Sequence, residues 1–306
     1  MLNEAHHVPS VGSDKVCSLA EAIGLVRDGD MVALAGMATQ SAPMAVVREF
    51  IRQGRRQLGL VCLVGGIGVD WLAAAGVIDR VVCCAVSMEQ FGTCRQFARA
   101  AESGRVRVQE LSEWALLARL AAAAQALPYL PIRGLVGTDL IAADSDNLRV
   151  LDDPFGGPPV VACRRLIPDV AVLHAHRADR AGNVQCEPGA RWADASVMPK
   201  AARRVLVTVE EIVDSAVLRR HPDRTVLPGF LVDAVVEVPH GAHPTSLPDR
   251  YDYDTRLHRE WVAAARHNTS SSAFLDRYLH TPPDEQSYLV AAGLGTRNKE
   301  QAGQDG

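Results

Sequence analysis

The sequence predicts an α/β fold, in which an open, mostly parallel sheet is covered by helices. Three observations support this prediction. Short apolar runs alternate with helical patterns along most of the chain, several runs are apolar at every position, and glycines often separate the runs from the helices. Strands that are buried on both faces are typical of parallel sheets, whose connecting helices cover each side.

The first elements follow this alternation. VCSLAEAIGLVRDGD has apolar residues at helical spacing, with Ser18 as the expected N-cap and Glu21 at the capping-box position. We expect this helix to end at Gly29 and MVALAG to form a short buried strand. The next helix, PMAVVREFIRQG, is predicted to begin at Pro43 and to end at Gly54.

Further strands and helices continue the pattern. Strands are predicted in LGLVCLVGG, RVVCCAVS and VRVQEL, and helices in WLAAAGV, CRQFARAAESG and EWALLARLAAAAQAL. After the turn-rich DDPFGGPP, strands are predicted in PVVACRRL, DVAVLHAHRAD, RVLVTVEEIV and AVVEVPHGA. We therefore predict one α/β domain over residues 16–290 with a long internal connection. A flexible segment is expected at 1–15 and a disordered tail at 291–306.

Composition excludes several classes of protein. With 48% hydrophobic and 22% charged residues, the 306-residue chain has the composition of a globular protein. A net charge of -4 argues against a nucleic-acid partner. No apolar run is long enough to cross a membrane, and the N-terminus lacks the pattern of a signal peptide. Because the seven cysteines show no C-x-x-C spacing, we expect buried thiols in the cytoplasm.

Loops at the ends of predicted strands are the candidate substrate site, since ligands of parallel sheets gather there. Gly36, Gly65 and Gly66 would let backbone amides approach a ligand closely, although each glycine could instead only turn the chain. Ser87 and Glu89 follow another strand, and Glu89 could equally be a surface charge. The glycines complete neither G-x-G-x-x-G nor a P-loop, which disfavours a nucleotide site.

Glu113 is the candidate catalytic residue. It follows a predicted strand and begins the alanine-rich helix beside Ser112. One interpretation is a base or nucleophile at the exit of a strand. The other is an acid without a catalytic role, which the helix dipole favours in a first turn. From position alone, this second interpretation is preferred. Glu110 is expected to be the last residue of the strand.

His174 and His176 alternate along one predicted strand and therefore share a face of it. A metal site would need a third ligand, for which Asp179 is a candidate. Without a Cys/His signature, the preferred interpretation is two histidines bonded to neighbouring groups, and no metal is predicted. The absence of G-x-S-x-G disfavours a serine hydrolase.

Several segments together resemble the alpha subunit of family I coenzyme A transferases, especially the glutaconate CoA-transferase branch. They run from about Val16 to Leu289 and include GGIGVDWLAAAGVIDRVV, SMEQFG, LPYLPIRGLVGTDL, HAHRADRAGN, VTVEEIV and GAHPTSLPDRYDYD. LPYLPIRGLVGTDL and HAHRADRAGN are the most specific of these segments. Arg133, within the first, is predicted to bind substrate. The resemblance implies the same open α/β sheet, and it implies that GAHPTSLPDRYDYD is mainly a structural loop near a subunit contact.

The resemblance also implies a chemistry. Such transferases use a glutamate that attacks an acyl-CoA, and in the two-subunit enzymes it comes from the beta subunit, typically in a Glu-Asn-Gly context. This sequence contains no Glu-Asn-Gly. The implied assembly is thus a heterodimer or heterotetramer with a beta-type subunit, acting on a coenzyme A thioester as substrate and without a permanently bound cofactor.

Two alternatives remain open. Steroid ring-opening acyl-CoA hydrolases resemble this chain too, and their alpha-subunit glutamate falls on Glu113, which would then act as a base. However, the loop GMATQSAP lacks the basic residues associated with those enzymes. The third interpretation is a non-catalytic regulatory subunit that binds a sugar phosphate or coenzyme A, because a fold does not fix a function.

Overall fold

The computed structural model describes residues 14–190 and 193–295. The strands are β1 (Met31–Leu34), β2 (Leu58–Gly65), β3 (Ile78–Val86), β4 (Arg107–Glu110), β5 (Tyr129–Ile132), β6 (Leu148–Leu151), β7 (Val160–Arg164), β8 (Val170–Ala178), β9 (Val184–Gln185), β10 (Arg204–Ile212), β11 (Thr225–Leu227) and β12 (Ala234–Glu237). The α-helices are α1 (Leu19–Ile23), α2 (Met44–Arg52), α3 (Ile67–Ala74), α4 (Arg95–Glu102), α5 (Glu113–Ala124), α6 (Leu140–Ala143), α7 (Ala193–Ala201), α8 (Ser215–Arg219), α9 (Thr255–Ala264), α10 (Asn268–Leu275) and α11 (Glu285–Ala291). Among the described helices, none is both long and apolar enough to cross a membrane.

The main sheet has nine strands in the described part of the chain. Two of them are antiparallel. β9 pairs with the last residues of β8, past the point where β1 ends, and β11 pairs with β9. The others run parallel in the order β12-β10-β8-β1-β2-β3-β4. The predicted open, mostly parallel α/β sheet is confirmed.

Both faces of this sheet are buried. Val32 belongs to a core shared with α2, α3, α4 and the C-terminal helices, while its neighbour Ala33 belongs to a second core shared with α5 and α7. Leu60 and Val61 divide in the same way on β2. Alternate residues of one strand point to opposite faces of the sheet. Because each face packs against its own core, every residue of β1 and β2 is apolar, as the uninterrupted apolar runs of the sequence predicted.

The first helix is shorter than predicted. Ser18 and Glu21 form the predicted capping box, but α1 ends at Ile23 and not at Gly29. Gly24 is its C-cap, and the next amides bond three residues back, with Val26 N donating to the Ile23 carbonyl at 3.0 Å. This tighter turn directs Val26 into the core, where it is fully buried.

The internal connection contains a second sheet that was not predicted. β5, β7 and β6 form an antiparallel sheet in that order, so PVVACRRL is a strand but not part of the main sheet. LPYLPIR was not predicted as a strand, and Pro131 lies within β5. Proline is tolerated there because β5 is an edge strand of this sheet.

The chain ends pack further than predicted. Lys15 is buried, and its Nζ donates to the Gly229 and Val232 carbonyls at 2.6 and 2.7 Å. At the other end, α11 includes Ala291, and Ala292 is buried. The rest of the predicted flexible segment and tail, residues 1–13 and 296–306, lies outside the described residues.

A buried cluster of charges ties α2 to α11. The guanidinium of Arg48, which is 0% exposed, bonds both carboxylate oxygens of Glu285, with Nε at 3.0 and 2.9 Å. It also donates to the His243 carbonyl and lies 3.8 Å from the centroid of the Tyr288 ring. Arg52 joins the same carboxylate and pairs with Glu49 at 2.7 Å. We refer to Arg48, Arg52 and Glu285 as the charge cluster.

Candidate active site

The glycine positions at the ends of β1 and β2 allow two loops to touch. Gly36 has a φ of +105°, and a Cβ there would lie 2.7 Å from the Ala42 nitrogen. A Cβ on Gly66 would lie only 2.2 Å from the Ala38 carbonyl oxygen. Both distances are shorter than any tolerable contact, so a side chain at either position would push the β1 loop away.

Hydrogen bonds extend this contact to the end of β3. Ala38 N donates to the Val64 carbonyl at 2.8 Å, and Ser87 N donates to the Gly65 carbonyl at 2.8 Å. Ser87 Oγ accepts from Glu89 N at 2.9 Å. The structure therefore brings the predicted residues Gly36, Gly65, Gly66, Ser87 and Glu89 into one group, which we call the loop cluster.

Glu89 closes the loop cluster on its exposed side. Its carboxylate accepts a hydrogen bond from Thr39 Oγ1 at 3.3 Å, which links the β3 loop to the β1 loop. Glu89 has a φ of +49° and Ala38 a φ of +41°. Non-glycine residues adopt this left-handed conformation at a cost, and such strain is concentrated at functional sites.

Glu113 lies at the neighbouring strand end. It is the first residue of α5, whose N-cap is Ser112, with Ser112 Oγ accepting from Ala115 N at 3.2 Å. The Glu113 carboxylate is exposed and makes no hydrogen bond or ion pair within residues 14–190 and 193–295. Burial, and then the charge of the nearby Glu113, raise the pKa of the Cys84 thiol on β3 to about 12. As predicted, Glu110 is the last residue of β4.

Arg133 is not part of the loop cluster. It follows β5 in the second sheet and is exposed. No hydrogen bond or ion pair in the described chain joins it to the cluster or to Glu113. Its substrate role therefore stays a prediction that rests on the family resemblance.

The two histidines of β8 bond neighbouring groups, as predicted. His174 bonds Thr208 Oγ1 at 2.9 Å through Nδ1 and Glu210 at 2.8 Å through Nε2. His176 Nε2 bonds the Pro248 carbonyl at 2.8 Å. Asp179 accepts from Asn183 and Ser215. Across the described ranges, no group of three or more potential ligands is placed to hold a metal ion.

The segment 242–254, predicted to be mainly structural, also borders the loop cluster. Ser246 N donates to the Thr39 carbonyl at 2.8 Å, and Ser41 N donates to the Ser246 carbonyl at 2.7 Å. Ser246 and Thr39 are separated by 207 residues, so no local sequence signal linked them. An open cleft of about 430 Å³ lies between Gln40 and residues 246–253.

Glu210 anchors this segment from β10. Its carboxylate accepts from Tyr251 Oη at 2.8 Å and from His240 N at 3.0 Å, and it bonds His174 on the opposite side. Burial alone would raise the pKa of Glu210, but these partners, His174 foremost, lower it to about 2. The ionised carboxylate is thus part of the folded structure.

We expect Glu210→Gln to destabilise the protein in a pH-dependent manner. The folded pKa of about 2 lies below the ordinary 4.5, so the stabilisation is present above pH 4.5 and is lost as pH falls towards 2. Urea unfolding should show a loss of about 2 to 3 kcal/mol at pH 7, and this difference should shrink in acid. Glu211→Gln is the control, because Glu211 is 42% exposed and its loss should cost about 1 kcal/mol or less. A difference that stays constant from pH 7 to pH 3 would contradict the lowered pKa.

Comparison with known proteins identifies the family. Residues 16–238 match the coenzyme A transferase family. The A-type chain of the 3-oxoadipate CoA-transferase of Pseudomonas knackmussii is 33% identical over 92% of this chain and 99% of its own length. The cholesterol ring-cleaving hydrolase IpdA subunit of Rhodococcus jostii is 30% identical over 90% of this chain and 96% of its own. An uncharacterised protein of Archaeoglobus fulgidus is 36% identical over 93% of this chain, which spans 64% of that relative.

Solved structures agree with these relatives. Glutaconate coenzyme A-transferase from Acidaminococcus fermentans has a TM-score of 0.85 at 30% identity, covering 91% of this chain and 93% of that one. A variant of the decarboxylase AibA/AibB has a TM-score of 0.76 at 32% identity, covering 85% of this chain and 96% of that one. The fold, the matched family and the transferase relatives are all consistent. This chain belongs to the coenzyme A transferase family.

Proposed function

We propose that this chain is the alpha-type half of a two-subunit enzyme that transfers coenzyme A between acyl groups, and that a beta-type subunit supplies the glutamate nucleophile. The observation that carries the proposal is that the loop cluster by itself encloses no space large enough for an acyl group. Gly36, Gly65 and Gly66 line a cavity of about 30 Å³, which has room for a water molecule but not for an acyl group. Glu89 in the loop cluster and Glu113 at the next strand end are exposed. A second chain would enclose the reacting thioester against this floor.

The backbone at this floor suits a developing negative charge. Gly66 is the N-cap of α3, and no side chain caps this helix end. Gly65, Gly66, Gly68 and Val69 line the small cavity. Val69 N donates to the Gly66 carbonyl at 3.0 Å, whereas the Ile67 and Gly68 amides have no hydrogen bond within the described ranges. Amides at a helix N-terminus stabilise an oxyanion, an effect worth about 3 to 4 kcal/mol for each donor removed.

The transfer would proceed by covalent catalysis in the proposed complex. The partner's carboxylate attacks the thioester carbonyl, the C–S bond breaks, and coenzyme A leaves as the thiolate while an acyl-glutamyl anhydride forms. The thiolate then attacks the glutamyl carbonyl and releases the first acid. A second acid takes the coenzyme A by the reverse steps, so no thioester is lost to water. The amides at α3 would stabilise the oxyanion in each addition.

A second function is favoured by the state of Glu113. Glu21, the comparable first-turn acid of α1, is occupied by its capping box, with Ser18 N donating to it at 2.9 Å. Glu113 has no such partner in the described ranges, which is the state expected of a general base. Relatives named as a ring-cleaving hydrolase and a decarboxylase are 30% and 32% identical to this chain, close to the 33% and 30% of two transferases. The alternative is therefore an acyl-CoA carbon–carbon hydrolase or lyase subunit.

The variant Glu113→Gln separates the two functions. The chain is co-expressed with the beta-type subunit of the same genome, and exchange of coenzyme A between two acids is measured beside thioester and carbon–carbon bond cleavage. For a transferase, we expect exchange by the variant within about 3-fold of wild type, because the nucleophile lies on the partner. Hydroxylamine should trap a glutamyl thioester on the beta-type subunit.

Glu110→Gln is the matched control, since Glu110 is also exposed and lies three positions earlier at the end of β4. Cleavage that is lost in Glu113→Gln but kept in Glu110→Gln, without a trapped glutamyl thioester, would establish the second function. Full activity of this chain alone would contradict both assignments, because each requires a partner.

A further inference from the structure

The strand ends beside the loop cluster carry unpaired negative charge. Glu110 ends β4 and Glu113 begins α5, and neither carboxylate has a hydrogen bond or ion pair within residues 14–190 and 193–295. Burial first, and then charges that include those of Glu113 and Glu110, raise the pKa of the Cys84 thiol on β3. Both carboxylates therefore act on the part of β3 that leads into the loop cluster.

Arginines at the same edge of the sheet are paired or lie on its other face. Arg177 on β8 pairs with Glu187 at 2.7 Å, and Arg250 in segment 242–254 pairs with Glu211 at 2.5 Å. Arg95 begins α4, which packs on the face of the sheet opposite to α5. A ligand carboxylate on the α5 face would meet carboxylates and none of these guanidinium groups in a free state.

Beside Glu113, the α5 face of the strand ends presents an apolar surface. Met37 follows Gly36 of the loop cluster, Cys84 lies on β3, and Leu117 lies one turn after Glu113. The first three of these side chains that are apolar, at positions 37, 84 and 117, are half-buried and pack against the second core. With a pKa of about 12, the Cys84 thiol is protonated and uncharged at neutral pH. Such a surface favours a hydrocarbon chain over a charged group.

The free amides of α3 can serve one negative charge. In the proposed reaction, the Ile67 and Gly68 N–H groups stabilise the oxyanion at the reacting carbon. A second carboxylate, at the far end of the acyl group, would lie beyond these donors and close to Glu113. Repulsion between like charges disfavours that arrangement.

We infer that the substrate is the coenzyme A thioester of a monocarboxylic acid, and that Glu110 and Glu113 exclude an acyl group with a second negative charge. The inference rests on the proposed function, because it places the reacting thioester at the loop cluster. The acids named in two transferase relatives, 3-oxoadipate and glutaconate, are dicarboxylates, so the inference separates this chain from them.

The test compares three thioesters with a six-carbon chain, hexanoyl-, adipoyl- and monomethyl adipoyl-CoA. Exchange of each with its own labelled acid is measured in the complex with the beta-type subunit. We expect kcat/KM for adipoyl-CoA to be about 30-fold lower than for the other two, which should agree within about 3-fold. The methyl ester separates the effect of charge from that of length. Salt at about 0.5 M should reduce the difference, because it screens exposed charges.

Reversing one charge tests the cause of the difference. Glu110→Lys should reduce it from about 30-fold to about 5-fold, because the new cation offsets Glu113. Glu102→Lys is the matched control and should leave the difference unchanged, since Glu102 is exposed at the end of α4 that is remote from the strand ends.

Equal or faster exchange of adipoyl-CoA by the wild type overturns the inference, and its loss in Arg133→Ala or Arg95→Ala would assign the second carboxylate to that arginine. A difference that neither salt nor Glu110→Lys reduces also overturns it, because the exclusion would not be electrostatic. If the complex exchanges none of the three, the proposed transfer fails, and calorimetric titration with the same thioesters decides the inference. Adipoyl-CoA bound about 10-fold more weakly than the other two supports it. Equal binding, or no binding, overturns it.

Discussion

Replacing Glu285 with glutamine is expected to lower the free energy of unfolding by about 3 to 5 kcal/mol. The substitution removes the negative charge of the charge cluster and leaves the fully buried Arg48 without an anionic partner among the described residues. Of its ion pairs in that part of the chain, Arg52 would keep the one with Glu49. Burial alone would raise the pKa of Glu285, but Arg48 and Arg52 hold it below its ordinary value, so this carboxylate is ionised at neutral pH.

Glu260→Gln is the matched control for this experiment. Glu260 is 33% exposed and pairs with Arg256 and Arg277, so the same chemical change should cost about 1 kcal/mol or less. Urea unfolding of both variants and the wild type at pH 7 measures the difference. Equal stability of the two variants would show that the charge cluster contributes no more than a surface ion pair, contrary to the burial of Arg48.

Local patterns in the sequence were sufficient for the fold. The capping box of Ser18 and Glu21, the glycine at position 54 and the apolar runs of the parallel strands act over a few residues, and the structure confirms them. Where two local signals competed, the prediction was wrong. The glycine at position 24, and not the one at position 29, ends α1. A proline such as Pro131 is unfavourable in most strands, but β5 is an edge strand, in which one backbone amide can be missing.

The candidate site was predictable only in part, for a physical reason. Strand-end loops could be chosen from the sequence because parallel strands place them at one edge of the sheet. Which distant segment packs on those loops depends on tertiary contacts alone. The pairing of Ser246 with Thr39, the bond from Thr39 to Glu89 and the open cleft beside Gln40 therefore appeared only in the structure.

Replacing Gly66 with alanine is expected to reduce kcat/KM of the proposed complex by about 100-fold, because misplacing reacting groups by about 1 Å has an effect of this size. The new Cβ would lie 2.2 Å from the Ala38 carbonyl oxygen, a backbone atom that cannot move without the whole β1 loop. A shift of Ala38 would strain its bond to the Val64 carbonyl and the contact of Thr39 with Glu89. Both the floor of the pocket and its exposed edge would be displaced.

Gly134→Ala provides the control for this effect, since a Cβ at Gly134 meets nothing within 4 Å and requires no unusual φ. That variant should keep wild-type activity. Thermal unfolding of each complex separates a displaced loop from a lost fold, because Gly66→Ala should still unfold cooperatively while turning over slowly. If Gly66→Ala is as active as Gly134→Ala, the loop cluster does not hold the reacting thioester. A loop cluster that held the thioester would lose activity when its tightest contact is deformed.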